Sequence, residues 1–312
     1  MNWKHSQVNV GPVELHVVEL GEGKPVLFCH GFPDLWIGWR RQMEAVAAKG
    51  YRAIAVDMRG YGRSSAVDDA HGYTAFDTVG DLVKLLSTLQ IESVTVVGHD
   101  FGATIAWYAA MMRPDIFKAV YCLSVPFLQP ADTNIIEQMR ASGKHFYMFD
   151  MMEARAAQEW ADARVTIPGF MYWSSATPPE DERWNPFDIQ RAMYRAAPVR
   201  VPPWADPDDI QYVVGEFGRT GFGPALHYYS SIEPFFYLAR PFRGALIEQP
   251  AYFLYGEVDG VAKMRRPDEN ELRAIVPGLK GFAALPEVGH WPQQEAAGEV
   301  SGSLVGFLDA WA

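Results

Sequence analysis

The stretch that decides the fold is Val94-Thr95-Val96-Val97-Gly98-His99-Asp100-Phe101-Gly102-Ala103. Its first half is a β-branched apolar run of the buried-strand type, and residues 103–112 carry helical spacing, so the chain must turn sharply between the two. Gly98 and Gly102 bracket that turn. They permit a tight strand-to-helix reversal and keep side chains clear of the central residue, as in a G-x-S-x-G nucleophile elbow, with Asp100 where serine would stand. Loops at the carboxyl ends of strands in an open parallel sheet have first claim to an active site, and this turn is such a loop.

Outward from the elbow, short apolar runs alternate with helical patterns. Strands are expected over 13–20, 26–30, 54–57, 94–98 and 119–125, and helices over 39–48, 75–89 and 103–112. The alternation lapses after Pro126 and resumes with a strand at 251–255, a helix near 268–275, a strand at 281–285 and a last helix over about 293–311. This is the pattern of an α/β fold whose mostly parallel central sheet has helices on both faces. Residues 127–240 interrupt it. They hold 20 of the 42 aromatic residues and several Pro-rich breaks, which suits a mainly helical insertion with an apolar inner surface. The expected division is therefore a core of residues 1–126 and 241–312 and an inserted cap of residues 127–240.

Composition removes several classes of function. With 27 Lys and Arg against 38 Asp and Glu, the 312-residue chain carries a formal charge of −11 and no basic stretch, which argues against a nucleic-acid partner. Two cysteines, Cys29 and Cys122, are too few for a disulfide framework or a cysteine zinc site and read as buried free thiols. The first ten residues lack the apolar centre of a secretory signal, and no uncharged apolar run is long enough to span a membrane. A soluble protein in a reducing, cytoplasmic setting is expected, with no membrane partner. No histidine, cysteine and carboxylate spacing suggests a metal, and no G-x-G-x-x-G opens a helix after a strand.

Four pieces of sequence, in their order and spacing, carry a resemblance: His30-Gly31-Phe32-Pro33 followed by Trp36 and Trp39; Asp57-Met58-Arg59-Gly60-Tyr61-Gly62-Arg63-Ser64; the Asp100 elbow; and Gly289-His290-Trp291. Over nearly its whole length the chain resembles α/β-hydrolases of the epoxide hydrolase and haloalkane dehalogenase branch, soluble epoxide hydrolases above all. The resemblance implies a covalent mechanism without a cofactor. A carboxylate, with a reference pKa of ~3.9, is ionised at neutral pH and attacks without a base, unlike a serine hydroxyl. The N-terminus of the following helix favours that ionised form. Attack on a saturated carbon leaves an ester on Asp100, and water must then hydrolyse it with help from a base and an oxyanion hole.

The resemblance also assigns the remaining roles. His290, in a Gly-His turn after the last strand, is the base. Asp259, after the strand at 251–255, is its orienting partner, with Glu257 the rival nearer the strand end. The backbone N–H groups of Phe32 and Phe101 fill the oxyanion-hole positions. Tyr147, within His145-Phe146-Tyr147-Met148, and Tyr229, within Leu226-His227-Tyr228-Tyr229, match the ring-opening tyrosines of soluble epoxide hydrolases; phenols remain donors at neutral pH. Trp36, with Phe32, Phe101 and aromatics of the insertion, is expected to line the substrate pocket. His99 and His30 are read as turn braces, Asp57 and Arg59 as a structural turn network, and His145 and His227 as solvated residues of the insertion.

The leaving group decides between reactions. Haloalkane enzymes place Asn after the His-Gly pair and Trp after the nucleophile, whereas this chain has Phe32 and Phe101; fluoroacetate dehalogenases carry an Arg after the nucleophile. The expected partners are a small apolar epoxide and water, giving a vicinal diol, and a homodimer is compatible with the chain. A haloalkane or haloacid dehalogenase using the same aspartate is the enzymatic alternative. A catalytically idle ligand receptor is the alternative of another class, disfavoured because Asp100, Asp259 and His290 occur together in order.

Overall fold

The computed structural model describes residues 2–312. Its strands are β1 (Lys4–Asn9), β2 (Glu14–Leu20), β3 (Lys24–Cys29), β4 (Tyr51–Val56), β5 (Val94–His99), β6 (Phe117–Leu123), β7 (Ala251–Gly256) and β8 (Leu279–Leu285). They form one 8-stranded sheet in the order β1-β2-β4-β3-β5-β6-β7-β8. From β4 through β8 all neighbours are parallel, while β2 is antiparallel to β4 and β1 to β2. The reversed edge follows from chain length, because the tight turn closed by the Val10 N–H on the Val13 carbonyl can join only antiparallel strands.

Helices cover both faces, and the strands sort their side chains accordingly. Leu27, Cys29 and Val96 join a core with Val79 and Leu82 of helix Ala75–Thr88 and Ile105 of helix Phe101–Met112. Val26, Phe28 and Val97 point the other way, onto Met43 of helix Arg40–Ala47 and Leu304 of helix Ala297–Trp311. Burial on both faces explains why β5 reads as an uninterrupted apolar run. Helix Ala75–Thr88 starts where Thr74 and Asp77 form a reciprocal capping box.

Because β4 and β5 flank β3 on opposite sides, the chain leaves β3 and β5 in diverging directions and opens a crevice at their carboxyl ends. Between β6 and β7 lie helices and turns, fastened over that end of the sheet by polar ties. Arg40 reaches Asp206 at 2.7 Å and Asp209 at 2.9 Å, Arg219 donates to the Gly62 carbonyl at 2.7 Å, and the Tyr228 hydroxyl donates to the Arg59 carbonyl at 3.2 Å.

Three elements differ from the sequence reading. β1 was not expected, because KHSQVN lacks strand alternation and buries only Val8. The last helix is two: Pro292–Glu295 and Ala297–Trp311 meet at Ala296, whose φ of −126° and ψ of 45° break the spiral. A short helix, Gly260–Met264, follows Asp259. No helix among the described residues is long and apolar enough to cross a membrane.

Candidate active site

Asp100 sits at the turn from β5 into helix Phe101–Met112 with φ 54° and ψ −121°, a backbone region that costs energy for any residue with a Cβ. The crowding around the turn holds it there. A Cβ on Gly102 would strike the Cys29 carbonyl at the end of β3, and one on Gly31 would strike the Asp100 carboxylate itself. The β3 and β5 loops are thereby packed in contact. Across that contact the Phe32 N–H donates to Asp100 Oδ1 at 2.9 Å, and the neighbouring Phe101 N–H also favours the ionised carboxylate. Burial pushes the Asp100 pKa up from its ordinary value, against the opposing pull of His290 and the two amides.

His290 follows β8, and its Nδ1 lies 3.1 Å from each carboxylate oxygen of Asp259. A carboxylate only accepts, so Nδ1 carries a proton and Nε2 faces Asp100 Oδ2 at 3.7 Å. Asp259 is itself fixed, since its Oδ1 accepts from the Val261 N–H at 2.8 Å where the short helix begins. Burial by itself would lower the His290 pKa, but the carboxylates of Asp259, Asp100 and Glu295 together outweigh it and carry it up to about 9. Glu257 is not brought to the imidazole; it pairs with exposed Arg266 at 3.2 Å.

The flanking histidines act as braces. His99 Nε2 donates to the His290 carbonyl at 2.6 Å while its Nδ1 accepts from Gln293 at 3.2 Å, and burial holds its pKa well below 6.5. His30 accepts from the Met58 N–H at 3.0 Å and donates through Nδ1 to the Gly31 carbonyl at 2.8 Å. Asp57 and Arg59 belong to separate networks: Asp57 binds His16 and the amides of Trp36 and Arg63, whereas Arg59 forms a buried pair with Asp81 at 2.6 Å. His145 lies 3.4 Å from Asp150, and His227 packs on Tyr73 at 5.2 Å.

Over the elbow stand two phenols from the inserted helices. Tyr147 opens helix Tyr147–Met152 and Tyr229 lies in helix Gly223–Ser230, their rings 6.2 Å apart and perpendicular. Tyr229 packs edge-on to Phe101 at 4.8 Å and to Phe32 at 5.4 Å. Neither hydroxyl has a hydrogen-bond partner among the described residues. Burial first, and then the charge of Asp100 among others, pushes both well above the usual tyrosine pKa, so both remain donors.

Trp36 is a correction. Its ring packs on Trp3, His5 and Tyr212, and its side chain joins the core on the sheet face opposite the one holding Phe32, Tyr147 and Tyr229. The Asp57 carboxylate, accepting from the Trp36 N–H at 3.0 Å, turns the chain that way. Sequence reading also missed Glu295 and Ser174. Glu295 accepts from the amides of Gly289, Trp291 and Ala176, and the Ser174 carbonyl accepts from the His290 N–H at 2.9 Å. The acid in the first turn after Trp291-Pro292 was the available signal for Glu295; Ser174 has none, being distant in sequence.

Comparison with known proteins gives matches in both sequence and structure. A family model described as alpha/beta hydrolase fold matches residues 24–296. An epoxide hydrolase of Caballeronia sordidicola is 52% identical over 307 residues, which make up 98% of this chain and 93% of the relative. Epoxide hydrolase 2 of Siraitia grosvenorii is 34% identical, with 98% of each chain covered. Among solved structures, an epoxide hydrolase from an endophytic Streptomyces superimposes with a TM-score of 0.92 at 33% identity, covering 98% of this chain and 95% of the other.

Proposed function

The chain belongs to the α/β-hydrolase fold family and is an epoxide hydrolase, and from that premise we propose that it opens apolar epoxides in two steps through a covalent ester on Asp100. The observation that carries this reading is the pair of unpartnered phenols, Tyr147 and Tyr229, buried within reach of the Asp100 charge. The two donors have no acceptor on the protein among the described residues, and an epoxide oxygen would supply one.

Oδ1 of Asp100 is engaged by the Phe32 amide, leaving Oδ2 to attack an epoxide carbon. As the C–O bond breaks, the oxygen takes the electron pair and then a proton through the phenols. His290 enters this step as the imidazolium, so its proton balances the one the alkoxide consumes, and the products are a neutral hydroxyester and a neutral imidazole. Esterification also removes the Asp100 charge, one of the influences that raises the His290 pKa. The same event that creates the ester thus prepares a base to activate water against it. Oδ1 is now the ester carbonyl, the Phe32 amide is already on it, and the Phe101 amide, which also favours negative charge on this carboxylate, is the second donor we assign to its oxyanion. Asp259 holds the imidazole and balances its returning charge.

The helices of 127–240 act as the cap that carries the phenols, and their aromatic underside favours uncharged substrates. Free buried Cys29 and Cys122 support a reducing, cytoplasmic setting. A colorimetric epoxide assay run beside a halide-release assay tests the reading. Diol formation from uncharged epoxides without halide release is expected; release of halide, or a clear preference for anionic epoxides, would overturn it.

A further inference from the structure

Glu295 lies outside the constellation described above, yet its carboxylate is bonded to both neighbours of His290. Oε2 accepts from the Gly289 N–H at 3.0 Å and Oε1 from the Trp291 N–H at 2.9 Å. Oε2 also accepts from the Ala176 N–H at 2.9 Å, just beyond helix Ala163–Trp173 of the insertion. The same segment grips the turn elsewhere: the Ser174 carbonyl takes the His290 N–H, its hydroxyl takes the Trp291 indole N–H at 2.8 Å, and a Cβ on Gly289 would strike Ser174 and Ser175. Three amide donors converge on one half-buried side chain, an arrangement that neither a neutral amide nor a shorter acid can reproduce.

Resting on the reading of His290 as the hydrolytic base, we propose that Glu295 is a positioning residue for ester hydrolysis, clamping the His290 turn between the core and the inserted helices. The clamp also places a third negative charge beside the imidazole. The ionisable groups facing His290 are Asp259 after β7, Asp100 after β5, His99 at the end of β5 and Glu295 from helix Pro292–Glu295. Once Asp100 is esterified, Asp259 and Glu295 are the carboxylates left to hold the imidazolium. Burial pushes the Glu295 pKa up and the three amides oppose it, as expected of an acid kept ionised by hydrogen bonds.

Alkylation of Asp100 does not use His290 as a base, so the two half-reactions separate the proposal from a general scaffold role. Glu295→Gln keeps size but forces its NH₂ against an amide donor. It should lower kcat about tenfold or more and KM in parallel, leaving kcat/KM within about threefold, because ester formation proceeds while hydrolysis stalls. Loss of the negative charge should also shift the rising limb of the single-turnover hydrolysis rate toward acid by about half a unit or more. An unmoved limb with unchanged kcat would overturn the proposal, as would a proportional fall in both half-reactions. If the Gln variant does not fold, Glu295→Asp decides: charge kept and reach shortened, it should lower kcat at constant kcat/KM without moving the limb, and an equal loss in both rates would overturn the clamp. His290→Gln is the control for the underlying reading. If it accumulates ester, the base assignment stands whatever Glu295 does; if it turns over normally, that assignment fails and the proposal with it.

Discussion

The two walls of the site are built on opposite principles. On the strand-end wall the polar groups are paired before any substrate arrives: Asp100 with the Phe32 amide, His290 with both oxygens of Asp259, the His290 carbonyl with His99 and Ser124. On the inserted-helix wall, Tyr147 and Tyr229 are buried among Trp184, Phe101 and Phe32 with free hydroxyls. One wall is preorganised by satisfaction, whereas the hydroxyls of the other have no protein acceptor among the described residues and, on the proposed reading, meet the substrate oxygen. Charge follows the same division, since the ionised groups sit on the sheet side and the neutral donors on the helix side. The difference predicts that the phenol wall serves alkylation alone, whereas hydrolysis rests wholly on the sheet-side wall.

The largest test removes the base from the sheet side. His290→Gln should still form ester, though more slowly than the wild type because the imidazolium proton is missing, and then stop, with turnover reduced by up to about 10⁴-fold and an adduct on Asp100 visible by intact mass. Turnover without an adduct would erase the distinction between the walls. Next in size is the opposite wall. Replacing Tyr147 and Tyr229 together by Phe removes only hydroxyls that make no protein hydrogen bond, so the fold should survive while Asp100 alkylation slows by about 10²–10⁴-fold. Hydrolysis of a preformed ester should change little. Either single variant should lose less than the pair, and pre-steady-state alkylation rates will show whether the donors cover for each other.

A smaller effect comes from pH. His290 in the free enzyme has a pKa raised to about 9, so the imidazolium is present below that value and lost above it. Alkylation should therefore decline as pH rises through about 9, by up to about tenfold per unit. Hydrolysis should instead rise with pH and level off at a lower value, because the esterified Asp100 no longer supports the imidazolium. The same shift acts on the fold. A histidine pKa raised above its unfolded value of about 6.5 contributes stability below that pH, and the contribution fades as pH climbs through about 9. The melting-temperature difference between the wild type and His290→Gln should narrow over that window. Parallel pH profiles for the two half-reactions would contradict the proton accounting.

The sequence made the sheet-side wall legible because its signals are local. A β-branched run, two glycines four apart and a helix suffice to mark the turn at Asp100, and each of those features is needed by a steric contact in the fold. The choice between Asp259 and Glu257 was not local. It depends on Asp259 capping the short helix at Gly260, which turns its carboxylate inward, while Glu257 meets Arg266 at the surface. The phenols entered only through the resemblance, since a tyrosine in an aromatic-rich insertion carries no mark of being unpartnered. β1 escaped because an edge strand with one buried side chain has no alternation to read. Glu295 escaped because its partners include an amide 119 residues away.

Trp36 gives the smallest effect and the sharpest limit on the comparison. Its closeness in sequence to Gly31 and Phe32 suggests a pocket wall, but the chain between them changes sides of the sheet. The Trp36 indole N–H donates to the Tyr212 hydroxyl at 3.1 Å, and Tyr212 belongs to helix Pro207–Thr220 of the insertion. Trp36 thus tethers the insertion from outside the site. Trp36→Phe keeps most of the apolar contact and removes the hydrogen bond, a loss of about 1 kcal/mol. In a chain of 312 residues that corresponds to a melting temperature lower by about 1.5 °C, readable by calorimetry. Both half-reactions should stay within about twofold of the wild type, in contrast to every substitution above. A change in substrate preference or a large loss of alkylation in Trp36→Phe would return this side chain to the pocket. The helix-side wall would then extend around the β3 loop rather than end at Phe32.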